Sequence, residues 1–386
     1  MSTWTQGLFT CTMRLLNIFL LVWISFPIVA QKEDYQWPLG IYIKKCNTCF
    51  YRFYYNFKTD PPSVRLRSDS VNNAGFSSAY CDRTGEVVFF TDGFRIYNNR
   101  SKMIAGGFGL NPTCPEIQHF LSYPFFYFFF FLGHPTDTNT VFYLHLDYDM
   151  YPDSSFLSVG KYLRLTTIRR GHNGMPDHVI NKNEILVAGF LQKPAAVRHA
   201  NGRDWWILVS DVDEGKHYRF LLTSNGFSQA MVQETGHKPP VVGIGTDWNS
   251  LGKFSSDGRY YADVHPFNGL TLYNFDRCSG LLSYKSDINF FLNTPKEKFI
   301  GGGGVDFSYD GHYLYLTGSS QVTFHPAYNP ILYGTVLQYD LEDEQIAFSA
   351  DTLTSRRQEI KGFNDLKELI RAIKPQTFLW FFVPLF

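Results

Sequence analysis

The chain of 386 residues carries 35 basic and 35 acidic side chains, and 44% of it is hydrophobic. Balanced charge without a Lys/Arg run speaks against a nucleic-acid or anionic-membrane surface, and so much apolar content excludes a disordered chain. The 24 Tyr, 37 Phe and 31 Gly point to strands and turns, with helix in the minority.

In chain order, the first element is an address. Arg14 precedes "LLNIFLLVWI" and then "SFPIVAQ", the pattern of a signal peptide over residues 1–30 cut after Ala30, with Met13 as an alternative start. A transmembrane helix is the rival reading, but Pro27 and the short apolar run leave it under the ~20 residues a span needs. Removal of this segment implies a secreted or outer-surface protein with no membrane span in the mature chain. Export permits disulfides, and the mature part holds Cys46, Cys49, Cys81, Cys114 and Cys278, an odd number that leaves one thiol unpaired within the chain. Cys46 and Cys49 form a CxxC, which would need a thioredoxin-like helix to be redox-active or a second pair to bind zinc. The following "FYRFYYNF" is strand-like and no second pair exists, so a structural thiol pair is expected.

Between Leu121 and Asp147 runs "LSYPFFYFFFFLGHPTDTNTVFYLHLD". The apolar run Phe125–Leu132 has the length of one strand, far short of a membrane span. Gly133 to Asn139 turns the chain into "TVFYLHLD", giving a hairpin. Hydrophobicity without alternation means that the first strand is covered on both faces, and an uncharged Phe run is an aggregation hazard wherever it is left uncovered.

Five stretches share a turn of Asp, Asn, Thr and Gly followed by an aromatic, β-branched strand: "CDRTGEVVFFTDG", "HPTDTNTVFYLHLD", "HANGRDWWILVSD", "SSDGRYYADVHP" and "SYDGHYLYLTG". Anchored at Gly85, Asn139, Gly202, Gly258 and Gly311, they recur at intervals of 54, 63, 56 and 53 residues. Each is followed by a further strand, as in "FRIYNN", "KHYRFLLTSNGF", "LTLYNFDRCSG" and "VLQYDLED". That period suits the four-stranded blades of a β-propeller, a β-sandwich being the alternative. The fold expected is all-β: a propeller of antiparallel four-stranded blades, five or six of them present, occupying residues 31–350.

Motifs for chemistry are sparse. No nucleophile elbow, zinc-helix or phosphate-loop pattern occurs. In "VRHANGRDWW", Arg198, His199 and Asp204 could form a charged network with His199 as general base, but Asn201-Gly202 is hairpin-turn chemistry and the set reads as a structural network with Trp205. Trp205 and Trp206 should face opposite sides of one strand. "DVDEG" and "DYDMYPD" alternate carboxylates as calcium loops do, making Asp211 and Asp213 weak Ca²⁺ candidates; solvated loops are the simpler reading. "GGGG" at Gly301–Gly304 reads as an inter-blade loop, and "SSDGRYY" and "SYDGHYL" lack the spacing and the Thr-Trp of sialidase boxes.

The order of "NNAGFSSAYCDRTGEVVFFTDGFRIYNNRSKMIAGG", "GHPTDTNTVFYLHLD", "AAVRHANGRDWWILV" and "DRCSGLLS" resembles the propeller regions of secreted Bacteroidota proteins found upstream of gliding-motility-associated or type IX sorting modules. The resemblance spans Trp37 to Glu342. It singles out Asp82, Gly85, Thr91, Asp92, Gly93, Asn98, His134, Pro135, Asp137, Asp276, Arg277, Cys278 and Gly280 as family-motif positions. It implies an exported WD40-like or quinoprotein-type propeller with no assigned chemistry, no cofactor and no metal. Ala105 and Gly106 depart from the family's "N-G". Residues 351–386 depart further, with a short helix expected from Asn364 as N-cap to Pro375 and an apolar end, as in a C-terminally truncated member. The function expected is a monomeric, non-enzymatic scaffold binding an unknown protein or glycan; the alternative is a propeller hydrolase whose catalytic groups converge from several blades.

Overall fold

The computed structural model describes residues 36–42, 50–59, 61–69, 78–113, 129–150, 158–171, 174–211, 215–235, 251–265, 269–288, 299–321, 332–349 and 351–357. The expected signal peptide, the CxxC, Cys114, Asp213 and the C-terminal helix lie outside them. Cys278 is a free thiol, and Cys81 Sγ donates to Gln36 O at 3.6 Å. The described residues contain no α-helix, and none of their helical segments is long and apolar enough to cross a membrane.

The chain folds as an all-β propeller of consecutive antiparallel sheets. Blade 1 has three strands, β1 (Gln36–Tyr42), β2 (Phe50–Asn56) and β3 (Ser63–Asp69). Blade 2 runs β4 (Ser78–Cys81), β5 (Val87–Thr91), β6 (Arg95–Asn98) and β7 (Met103–Phe108). Blade 3 is β8 (Phe129–Gly133), β9 (Thr140–Met150), β10 (Ser158–Arg169) and β11 (His178–Leu191). Blade 4 is β12 (Ala195–Arg198), β13 (Trp205–Asp211) and β14 (Lys216–Thr223), with an outer edge in two pieces, β15 (Gly226–Phe227) and β16 (Met231–Glu234). Blade 5 is β17 (Leu251–Phe254), β18 (Tyr260–His265), β19 (Gly269–Asp276) and β20 (Leu281–Ile288). Blade 6 is β21 (Phe299–Phe307), β22 (Tyr313–Gln321), β23 (Leu332–Asp340) and β24 (Asp351–Arg357). Its last strand begins at Asp351, beyond residue 350, where the propeller was expected to end.

Innermost strands lie side by side, β1 by β4, β4 by β8, β12 by β17 and β17 by β21. Among the described residues the ladders of blades 2, 3 and 4 meet at single pairs, His178 with Ala105 and Leu191 with Asp211, which link the three blades at their margins into one continuous 13-stranded sheet. Because strand side chains alternate, each blade gives one face to one core and the other face to the next. Tyr261, Tyr273 and Phe275 pack toward blade 4, while Ala262, Val264, Leu270 and Leu272 pack toward blade 6. Trp205 and Trp206 divide in the same way, the first into the core of blades 2–4 and the second into the blade 4–5 core.

The described end of the Phe run, Phe129–Gly133, is the innermost strand of blade 3, with Phe129, Phe131 and Leu132 buried. It pairs with β9, whose Val141 to Leu146 are buried on both faces. The "GGGG" stretch is not an inter-blade loop. Gly301–Gly304 lie inside β21, and the register slips between Phe299 and Gly301 and between Gly302 and Gly304, as bulges in glycine-rich strands do.

Candidate functional site

The turns that join first to second strands explain the repeat. In four of them the N–H of the anchoring glycine returns to a carbonyl three residues earlier: Gly85 to Asp82, Gly202 to His199, Gly258 to Ser255 and Gly311 to Ser308, at 2.8–3.0 Å. These glycines have φ between 72° and 77°, the left-handed region that residues with a Cβ avoid. Asp82 Oδ1 accepts the Thr84 and Glu86 N–H groups and the Thr84 hydroxyl. In blade 3 His134 Nδ1 accepts the Asp137 N–H at 2.9 Å, Pro135 follows within the turn, and Asp137 is held by Thr140 and Arg169. The second-to-third-strand turn of blade 2 uses Thr91, whose hydroxyl accepts the Gly93 N–H, and the buried Asp92, which accepts from Phe94 N, Arg95 and Tyr97. Burial pushes the Asp92 carboxyl up, against the opposing pull of these donors. Asn98 Oδ1 accepts the Arg100 and Lys102 N–H groups in the next turn.

The "RHANGRDW" turn is wider than a two-residue hairpin. His199 N–H pairs with Asp204 O at 2.9 Å, leaving four residues between them. His199 Nδ1 accepts the Asn201 N–H, Asn201 donates to Asp204 Oδ2, and Arg203 clasps both Asp204 oxygens at 2.8 and 2.9 Å. Arg203 accordingly holds the Asp204 carboxyl below its usual value. The Arg198 guanidinium lies 3.6 Å above the Trp205 ring.

This turn meets "DRCSG", the β19–β20 turn of blade 5. Arg277 donates from Nε to Arg198 O at 2.9 Å and from Nη2 to His199 O at 3.3 Å. Its own carbonyl receives Ala200 N–H and the Trp206 indole. His199 Nε2 reaches Cys278 O at 3.1 Å, and Arg219 donates to the carbonyls of Ser279 and Gly280. Gly280, φ 71°, lies where a Cβ would stand 2.8 Å from the Trp206 ring. Asp276 shapes the turn by accepting from Cys278 N and Ser279 Oγ. Farther out, the Gln233 side chain of blade 4 makes a two-bond amide pair with the Leu282 backbone of blade 5, at 2.7 and 3.1 Å. The two sequence motifs richest in polar residues are therefore the two halves of one inter-blade lock.

At the opposite end of the same seam lies a polar cluster that no motif announced. Asp263, buried on β18, accepts a short hydrogen bond from the Gln192 amide. His265 Nε2 lies 3.3 Å from Asp263 Oδ1 and His217 Nδ1 4.0 Å from Oδ2. Ser210 Oγ is 2.8 Å from the same Nδ1 of His217 and 3.4 Å from Tyr261 Oη. All of these side chains are buried, and among the described residues Gln192 Oε1 has no hydrogen-bond partner. Burial pushes Asp263 up, but His265, His217 and Gln192 together hold it below the usual carboxylate value. Burial holds His217 below the usual imidazole value, against the pull of Asp263. Next in the chain, Lys193 is brought down to about 7 by burial. Ser210, His217 and Asp263 carry the chemical groups of a hydrolytic triad. A relay needs opposite ring nitrogens for hydroxyl and carboxylate, whereas here one nitrogen faces both.

The seam between blades 2 and 3 solves the same problem differently. Asp147 Oδ2 accepts Arg164 Nε at 2.7 Å and the Thr113 N–H, and Arg164 also donates to Thr113 Oγ1 and Asn183 O. His145 lies between Asn111 Oδ1 at 2.6 Å and Thr166 Oγ1 at 3.0 Å. Burial, helped by Arg164, brings His145 down to about 3. The calcium candidate Asp211 is buried at the end of β13, where its carboxylate accepts Phe190 N–H at 3.4 Å; Asp213 lies outside the described residues. Among the described residues no three His, Cys, Asp or Glu side chains converge as a metal-binding group.

No family model and no curated protein matches the chain. Solved structures resemble it at low identity. A candidate 6-phosphogluconolactonase from Bacteroides fragilis has a TM-score of 0.43 at 12% identity, covering 84% of this chain and 83% of the other. The periplasmic gluconolactonase PpgL of Pseudomonas aeruginosa gives 0.41 at 13%, covering 84% and 96%. The Cps50 (Swd1) β-propeller domain from Myceliophteria thermophila gives 0.41 at 10%, covering 83% and 85%. At these scores the propeller assignment rests on the sheets themselves.

Proposed function

We propose that this chain is a non-enzymatic, secreted or cell-surface β-propeller that serves as a scaffold binding a protein or a glycan. The observation that carries this reading is the use of the polar residues. His199, Trp206 and Arg277 are engaged in holding blade 4 to blade 5, Asp204 is engaged within its own turn, and the Ser210–His217–Asp263 group is sealed and shares one nitrogen. Export is proposed from residues 1–30, and kinship with type IX-secreted Bacteroidota propellers from the motif stretches named above.

The hydrolase reading is favoured by one contact, the 2.8 Å approach of Ser210 Oγ to His217. A fluorophosphonate probe separates the two. The scaffold reading expects no covalent label on the folded chain, together with saturable retention of one oligosaccharide or protein class on an array. A label that Ser210→Ala abolishes would put the hydrolase in its place.

A further inference from the structure

Buried carboxylates in this propeller are matched by Arg or Lys at four places among the described residues: Asp92 by Arg95, Asp147 by Arg164, Asp204 by Arg203 and Asp306 by Lys253 at 3.3 Å. Asp263 is matched by two imidazoles and an amide instead. We propose that the seam between blades 4 and 5 is a proton-operated joint, closed while His217 is neutral and opened when His217 takes up a proton.

The surroundings of His217 decide the direction. From β13 it meets the Ser210 hydroxyl, and from β18 Asp263, His265 and the Tyr261 ring. From β19 the Tyr273 ring edge approaches at 5.2 Å, and along β14 itself Arg219 opposes a second positive charge. Gln233 stands opposite on β16. Asp263 is the one attractive charge in this set, and it is already engaged by His265 and Gln192. Ser210 Oγ can donate to neutral Nδ1 or, turned about, accept from a protonated one, and in neither case does it supply a charge to balance an added proton in this buried place. The closed seam therefore excludes a proton that an opened, hydrated seam admits near the ordinary imidazole value. Lys193, about half protonated at pH 7 in the closed chain, completes its protonation on going to pH 5 and so opposes opening by about two-fold, equally in wild type and His217→Gln.

Hydrogen exchange of the full chain at pH 7 and pH 5, corrected for intrinsic rates, tests the joint. Opening measured on β13, β14 and β18 is expected to rise more in the wild type than in His217→Gln, by up to about twenty-fold, the ceiling for one imidazole wholly excluded from protonation. His145→Gln should leave that difference unchanged. Equal acid responses in wild type and His217→Gln overturn the proposal. If His217→Gln fails to fold, the side-chain ¹⁵N signals of His217 in the wild type decide it. Neutral-imidazole values at pH 5.5 are expected, and cationic values in the folded chain overturn it.

Discussion

The seams between blades 2 and 3 and between blades 4 and 5 bury the same two kinds of group, a histidine and an aspartate, at the same level of the fold. In the first, Asp147 is clamped by an arginine that cannot lose its charge, and His145 is surrounded by neutral hydrogen-bonding groups. In the second, Asp263 relies on His265 and His217. A buried charge is tolerated only when it is paired or hydrogen-bonded. The carboxylate of the first seam has a fixed counter-charge, the Arg164 guanidinium, whereas that of the second has only an amide and two imidazoles, an adjustable set of partners.

The largest effect expected is acid destabilisation of the fixed seam. His145 titrates at about 3 in the folded chain, burial being the main cause, against roughly 6.5 when unfolded. The unfolded chain therefore binds the proton first. Stability is full above pH 6.5, falls by about 1.4 kcal/mol per pH unit below it, and has lost about 4–5 kcal/mol by pH 3. Denaturant titrations from pH 6.5 to 5 should show this slope reduced by one proton in His145→Gln; an unchanged slope would contradict the neutral assignment. Next comes Arg164→Leu, which leaves Asp147 buried without its cation and should cost about 3–5 kcal/mol. Restoring neutrality with Asp147→Asn in the same chain should recover much of that loss. Failure to recover would mean that Arg164 acts through its bonds to Asn183 and Thr113 and not through charge.

The turns between first and second strands were legible in the sequence. Glycines at 85, 202, 258 and 311 must take positive φ to return to the strand, so the constraint is written in residue type, and the period follows. The two tryptophans divide between cores because strands alternate. The seams were not legible in this way. Ser210, His217 and Asp263 sit near the ends of strands β13, β14 and β18, beside other polar residues such as Asp211, Lys216 and His265, a pattern that usually marks a solvent-facing strand end, and they meet only when two blades are adjacent. Gly301–Gly304 misled for a related reason: glycine marks either a loop or a bulged strand, and the choice is made by the pairing with β22. The width of the His199–Asp204 turn was missed because Asn201-Gly202 is common to both turn types.

Two smaller perturbations sharpen the contrast at the adjustable seam. Arg277→Met removes donors to Arg198 O and His199 O and should cost about 2–3 kcal/mol, as charged hydrogen bonds do. Equilibrium unfolding in urea measures this directly, and a loss below about 0.5 kcal/mol would show that water replaces the guanidinium at no cost.

Gln233→Ala is the mildest. Gln233 satisfies the Leu282 N–H and C=O across the seam, but β20 is an outer strand whose neighbours Leu281 and Tyr284 are exposed, so water can reach the freed groups. About 1 kcal/mol is expected in global stability. The more telling readout is local, because the amide pair ties together the outer margins of the two blades that the His217 cluster joins at depth. If blades 4 and 5 separate as one joint, hydrogen exchange at β16 and β20 should increase in Gln233→Ala and take on the same acid dependence as β13, β14 and β18. If exchange at β16 and β20 rises without any pH dependence, the margin frays by itself and the joint is confined to the buried cluster.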